Sequence, residues 1–394
     1  MQTAKLILAG PFFDSQIYAG KLYLWHENSS MLVVDWDKLV AALMEKLPNK
    51  LQFAAHCAFR KGSYLYSNEW AYFARDSEMV DLLTKRLEEL AEIDLQVTFN
   101  ELSEYIVSWQ DNPFRFPHSD VLFFHNVLFS GSREGLEVKV RGRERDAVTL
   151  WDGPVLSMAG KNYIVALAAG SKGFFEYQFE RNKQEAGVVH GRTTDRTDFV
   201  RWLGGYSIYG SSYQGGYLAD FKIKEGDVRG PRAETREKDR ILAGQYSSET
   251  LFRGLSSVRS DVDRKYSWGV SDKICLASKE NVTILRYLPK DDYEIPVTSL
   301  GSVQIKESIS GDIVSADSAL FGYIIEADDG LLVINSQMEQ KWFPNEPVNW
   351  HVFPNSQDYL NQMHIVYDEH IEVHSFLHDY YINQETKTVG ISKP

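Results

Sequence analysis

The sequence predicts an all-β fold built from one repeated unit, and three observations predict it. Seven stretches share a layout: an apolar run, a polar or Gly-containing turn, and a second apolar run. Most neighbours among them start about 40 to 67 residues apart, an interval that overlaps the period of repeated sheet units. The chain of 394 residues carries 21 Tyr, 21 Phe and 9 Trp, and aromatic side chains suit flat, packed sheet faces.

The clearest stretch is FGYIIEADDGLLVIN from Phe321. Asp328-Asp329-Gly330 separates two aliphatic runs, and a tight two-residue turn needs the positive φ that Gly and Asp tolerate. The others are KLYLWHENSSMLVVDW from Lys21, NVLFSGSREGLEVKV from Asn126 and YIVALAAGSKGFFEYQF from Tyr163. YSIYGSSYQGGYLADFKI from Tyr206, KICLASKENVTILRY from Lys273 and MHIVYDEHIEVHSF from Met363 complete the set. Short apolar runs precede several hairpins, as at Val155 to Gly160 and Ile313 to Ser315. Asp198 to Leu203 reads as either an outer strand or the next unit's inner one.

Over nearly its whole length this series resembles the β-propeller superfold. The resemblance implies a single propeller of seven blades, with six as the alternative, a central channel and loops on two faces. It implies no activity, because the fold hosts lectins, hydrolases and scaffolds alike.

Helical patterns interrupt the β rhythm. DKLVAALMEKL from Asp37 places Leu39, Val40, Leu43, Met44 and Leu47 on one face, with Asp37 as N-cap and Pro48 as the stop. Leu51 to Phe59 and Tyr64 to Phe73 have strand-like composition. Asp76 to Ala91 aligns Met79, Leu82, Leu83, Leu87 and Leu90, capped by Asp76 or Ser77. A shorter helix, NELSEYIV, is expected from Asn100 to Val107. Residues 76–108 therefore read as a helical insertion: a docking element, a lid over exposed sheet, or a prop between repeat units. Arg181 to Asp198 reads as polar and irregular, and Gly226 to Asp239 as a charged loop.

A net charge of −13 repels phosphate backbones, so general nucleic-acid binding is disfavoured. Two cysteines, Cys57 and Cys275, sit among apolar residues and read as buried thiols of a reducing compartment. No stretch has the roughly 20 apolar residues of a membrane span. These features predict a cytoplasmic protein with no membrane partner.

Catalytic and cofactor motifs are not found: no Gly-x-Ser-x-Gly elbow, no His-Glu-x-x-His and no cysteine-based zinc spacing. His370, Glu372 and His374 share one face of a strand, yet i, i+2, i+4 ligands span about 13 Å, too far for one ion without a bend. The expectation is a polar strand face with no metal and no cofactor. Asp14, Asp120, Asp312 and Asp317 lie near inner strands, where a pair of carboxylates could serve glycoside chemistry. Trp25, Trp202, Trp268 and Trp350 are candidate sugar platforms. Arg201, with Arg192 and Arg196, and the groups Arg141 to Arg145 and Arg229 to Arg240 could hold an anion. The expected function is a non-enzymatic interaction or sensor module that docks a protein partner on one face. A carbohydrate-active propeller and an anion or nucleotide sensor are the alternatives. The candidate binding residues are Arg201, Trp202, Trp25, Trp350 and Asp312.

Overall fold

All seven hairpins form, and each supplies the middle two strands of a small antiparallel sheet. The computed structural model describes residues 1–60, 76–143, 146–180, 183–204, 206–223, 240–253, 265–288, 295–307, 309, 311–319, 321–335, 338–354, 356 and 358–376. Seven such sheets make the chain a seven-bladed β-propeller, not a six-bladed one. The expected strand at Tyr64 to Phe73 and the loop at Gly226 to Asp239 lie outside the described residues.

The first blade holds β2 (Phe12–Tyr18), β3 (Lys21–His26), β4 (Ser30–Asp35) and β6 (Ile106–Asp111). Before it comes β1 (Ala4–Ala9), and inside it, ahead of β6, comes β5 (Leu95–Val97). The second blade is β7 (Asp120–Phe124), β8 (Val127–Ser132), β9 (Gly135–Val140) and β10 (Val148–Trp151). The third is β11 (Ser157–Lys161), β12 (Ile164–Ala168), β13 (Phe174–Glu180) and β14 (Lys183–Thr193). The fourth is β15 (Phe199–Trp202), β16 (Ile208–Ser212), β17 (Gly215–Ile223) and β18 (Arg240–Ser247). The fifth is β19 (Tyr266–Val270), β20 (Lys273–Ala277), β21 (Asn281–Tyr287) and β22 (Val297–Gln304). The sixth is β23 (Ile313–Ala319), β24 (Gly322–Ala327), β25 (Gly330–Asn335) and β26 (Gln340–Pro344). The seventh is β27 (Asn349–Val352), β28 (Gln362–Val366) and β29 (His370–Ser375), completed by β1 from the N-terminus. By internal contacts the chain divides into two units, Met1–Asn112 with Asp317–Pro394, and Pro113–Ala316.

The residues from Asp198 to Leu203 are thus an inner strand. Of the stretch Arg181 to Asp198, expected to be irregular, Lys183–Thr193 forms strand β14. Its polar composition is that of an outer strand facing solvent, whereas β8, β12, β16, β20, β25 and β28 are buried along their whole length. Buried on both faces, they read in sequence as continuous apolar runs.

Within Pro113–Ala316 the hairpins repeat one device. Ser132, Ser212 and Ser278 each accept a backbone N–H from two residues on, at 3.1, 3.2 and 3.3 Å, and donate to the carbonyl three residues on. A serine hydroxyl bonding its own turn holds the backbone in the reversal.

In Met1–Asn112 with Asp317–Pro394, the segment between β4 and β6 is mostly helical. Helix α1 (Trp36–Glu45) is capped by Asp35, whose side chain accepts from Lys38 N, not by Asp37. Helix α2 (Asn49–Phe59) replaces the strand expected at Leu51 to Phe59. Leu51, Ala54, Ala55, Ala58 and Phe59 are its buried stripe, at i, i+3, i+4, i+7, i+8 spacing. Its last carbonyls are satisfied from elsewhere. Asn361 Nδ2 donates to Ala58 O at 3.1 Å, Gln362 Nε2 to Phe59 O at 3.2 Å and Trp36 Nε1 to Phe59 O at 2.5 Å. These are the orphan groups that a helix end must place. Helix α3 (Ser77–Ala91) has the expected Asp76 cap, accepting from Glu78 N and Met79 N. Helix α4 (Phe99–Ser103) is shorter than expected, because Ile106 and Val107 belong to β6. Strand β5 pairs in parallel with β1, so β1 has a partner on each side. One hydrophobic core joins Leu6 and Leu8 of β1 to Trp36 and Leu39 of α1, Ala55 of α2, Leu83 and Leu87 of α3 and Val97 of β5.

Gly330 opens β25 with φ +152°, and a Cβ there would run into the carbonyl oxygen of Phe343 on β26. Gly330→Ala is expected to lower stability on the order of 1–3 kcal/mol, read from urea midpoints. Gly142→Asn, where the side chain meets open space, serves as the comparison and should lose clearly less. Equal losses would refute the role of the close approach.

Candidate binding site

A cleft of about 180 Å³ opens between α1, β5 and α4. Helix α1 contributes Leu39, Ala42, Leu43 and Lys46, the i, i+3, i+4, i+7 stripe that faces one neighbour. Val97 of β5 lies across from it, with Glu101, Glu104 and Tyr105 from α4 and the turn after it. Leu39 and Val97 are buried, while Lys46 and Glu104 are exposed, so the floor is apolar and the rim charged.

The sequence Thr98-Phe99-Asn100-Glu101 fixes the rim. It is a capping box: Thr98 Oγ1 accepts from Glu101 N, and Glu101 Oε2 accepts from Thr98 N at 2.9 Å. The other carboxylate oxygen receives Lys46 Nζ at 3.0 Å. The Thr98 backbone N–H, then Lys46 and the Thr98 hydroxyl, hold the Glu101 carboxyl down at about 2. Bonding to Glu101 in turn raises Lys46 above the usual ammonium range. Glu104 has no ion pair among the described residues, so these three side chains leave the rim with an excess negative charge.

The residues singled out from sequence fall elsewhere. Trp25 on β3 and Trp268 on β19 are fully buried, and neither offers a ring face to solvent. Trp202 is 8% exposed, donates to Ala159 O at 2.8 Å and lies under the Arg240 guanidinium at 4.7 Å. Its neighbour Arg201 donates to Val200 O at 2.9 Å and covers the Phe199 ring at 4.0 Å. Trp350 on β27 is half-buried and donates to Glu326 Oε2 at 2.9 Å. Asp312 is half-buried just before β23. Arg192 and Arg240 both pair with the buried Glu176, and Arg196 pairs with Asp198 at 3.0 Å. Arg145, Arg229, Arg232, Arg236 and Lys238 lie outside the described residues. The inner-strand carboxylates are likewise engaged: Asp120 Oδ2 accepts from Met158 N at 2.6 Å and Asp317 Oδ1 from Ser318 N at 2.8 Å.

Sequence reading missed a histidine network in the first and seventh blades. Fully buried Asp14 on β2 accepts from His351 Nε2 at 2.6 Å and from Ser15 N at 2.7 Å. A carboxylate requires the proton on Nε2, so Nδ1 of His351 accepts from Gln16 Nε2 at 3.2 Å. His364, the cross-strand partner of His351, meets Ser15 Oγ through Nδ1 at 3.1 Å. Among the described residues its buried Nε2 has no hydrogen-bond partner. On β29, His374 donates from Nε2 to Glu372 at 2.8 Å, and Thr3 links its Nδ1 to Lys341. His370 is 3.8 Å from Glu372. Among the described residues no group of three or more side chains could hold a metal ion. The sequence separations, 337 residues for Asp14 and His351, explain why no local pattern announced the network.

No protein-family model matches the chain. No curated protein matches it either. Among solved structures the chain is similar to the computationally designed Ika8 protein, at 9% identity over 95% of this chain and 100% of that one, TM-score 0.45. It is also similar to BBS1N, crystallised in complex with ARL6DN, at 7% identity over 94% of this chain and 93% of that one, TM-score 0.49.

Burial pushes His364 down to about 3, with His351 adding to the shift. The unfolded histidine takes a proton below its ordinary pKa near 6.5, and the folded one does not. Stability is therefore full above that value and falls as pH descends toward about 3. Between pH 7.5 and 5.0 this residue alone should remove about 2 kcal/mol. His364→Asn should flatten the urea-midpoint profile by that amount over this range. Parallel profiles for the two proteins would refute the assignment.

Proposed function

We propose that this propeller is a binding module, not an enzyme, and that it docks a protein partner through the helical segment of its first blade. One observation carries the reading. Phe53 on α2 and Met79 and Leu82 on α3 are 43%, 38% and 48% exposed, although both helices already bury full apolar stripes. One exposed apolar side chain is ordinary, but three on two helices that pack against each other and have already satisfied the core support an interaction surface there. Sequence periodicity assigned Met79 and Leu82 to the buried face; the buried stripe is Leu83, Leu87 and Leu90.

The alternatives have less support. A sugar site loses Trp25 and Trp268 to the interior. An anion site loses Arg192, Arg196 and Arg240 to acidic partners. The reading includes a cytoplasmic setting, supported by two buried cysteines that are not paired with each other. Burial pushes the Cys57 thiol up to about 12, which makes it inert.

Deleting the helical segment would also remove Leu83, Leu87 and Leu90 from the core, so surface changes are the sharper test. Phe53→Asp with Leu82→Asp is expected to abolish partner capture in crosslinking pull-downs while the melting temperature stays within a few degrees. Capture of the same partner at wild-type level would overturn the proposal.

A further inference from the structure

We infer that the cleft between α1, β5 and α4 receives one large apolar side chain of a peptide segment, with a Lys or Arg beside it meeting Glu104. The inference rests on the docking role proposed above and names the chemistry of the docked segment.

Size comes first. At about 180 Å³ the cleft is smaller than the roughly 300–1,000 Å³ of small-molecule sites. It is close to the cavity of about 150 Å³ that accepts a benzene ring. It therefore fits a phenyl ring or a leucine side chain and little more. Lining comes second. Leu39 and Val97 give an apolar floor, and Ala42 leaves the space that a larger helix residue would fill. Anchors of this kind, one side chain in one desolvated pocket with a polar rim, dominate the energy of peptide and protein interfaces.

Charge comes third. Glu101 is committed on both oxygens, to Lys46 and to Thr98. Glu104 lines the same cleft, is exposed, and makes no ion pair among the described residues. A cation placed one or two residues from the anchor would meet it. An acidic neighbour would be repelled by Glu104 and by a chain whose net charge is −13.

Phage-displayed random dodecapeptides selected against the full chain test this. Enriched peptides should share a Phe, Trp or Leu with a Lys or Arg within about three residues, and replacing that anchor by Ala should weaken binding about thirtyfold by fluorescence anisotropy. Ala42→Trp, which fills the cleft, should abolish binding, and Ala42→Ser should leave it unchanged. Glu104→Lys, a change at an exposed position, should weaken binding about tenfold at low salt and less at high salt. Three outcomes would overturn the inference: no enrichment, peptides that bind Ala42→Trp as well as wild type, or indole binding the cleft with no peptide preference. The Phe53→Asp, Leu82→Asp protein separates the two proposals. It should still bind the selected peptides. If it also kept its natural partner, the docking role would fall while the cleft assignment stood.

Discussion

The pairing of β1 with β29 is the constraint on which the rest of Met1–Asn112 with Asp317–Pro394 depends. Six residues at the start of the chain register with six near its end, from Ala4 opposite Ser375 to Ala9 opposite His370. Without them the seventh blade has three strands and an open edge, the kind of edge that recruits foreign strands. The pairing joins residues more than 300 positions apart, so its loop-closure entropy is recovered only when the intervening blades have formed. Strand β1 then becomes a platform. Leu6 and Leu8 bury completely in the core shared with α1, α2 and α3, and the other edge of β1 accepts β5. The cleft beside Val97 exists because β5 is held there, next to α1.

Closure also decides where polar groups are buried. Asp14 and Ser15 on β2 and His351 and His364 on β27 and β28 face each other from the first and seventh blades. Burying them is unfavourable unless each finds a partner, and the tautomer of His351 is locked by two of them. A slip of one residue would turn each of these side chains to the opposite face and break the bonds from Asp14 to His351 and from Ser15 to His364. His364, whose Nε2 has no partner among the described residues, shows the limit of the arrangement: burial keeps the ring neutral at a standing cost in stability at acid pH.

How much of this was legible in sequence follows from burial. The seven hairpins could be read because their strands are covered on both faces and must be apolar throughout, as in the fully buried Gly330–Asn335. Outer strands could not. Lys183–Thr193 and Val297–Gln304 face solvent on one side and mix Lys, Glu and Ser with Val, which is also how a loop reads. Helix α2 was legible and was misread, because Leu51, Ala54, Ala55, Ala58 and Phe59 carry helical spacing. The Thr98–Glu101 capping box was equally available. That Glu101 meets Lys46 across 55 residues was not, since no local rule sets the approach of α1 to α4. The tryptophans were misjudged for a simpler reason. A large ring is as useful to a blade interior as to a binding face, and composition does not distinguish Trp25 in a core from one at a surface.

The same reasoning explains why the exposed residues of the helical segment carry information that the buried ones do not. Leu83, Leu87 and Leu90 would be required of any helix laid on this core. Met79 and Leu82 would not, and a polar residue at either position would serve the fold equally well. The same helical segment holds a cleft whose floor is apolar and whose rim is fixed, because Glu101 is tied to Thr98 on one side and to Lys46 on the other. Were Glu101 free to turn inward, its own side chain could occupy the cleft. Three bonds to Lys46 and Thr98 instead hold the carboxylate at the rim, above a floor in which Leu39 and Val97 are themselves buried, and leave the space between α1 and α4 open to a side chain from outside.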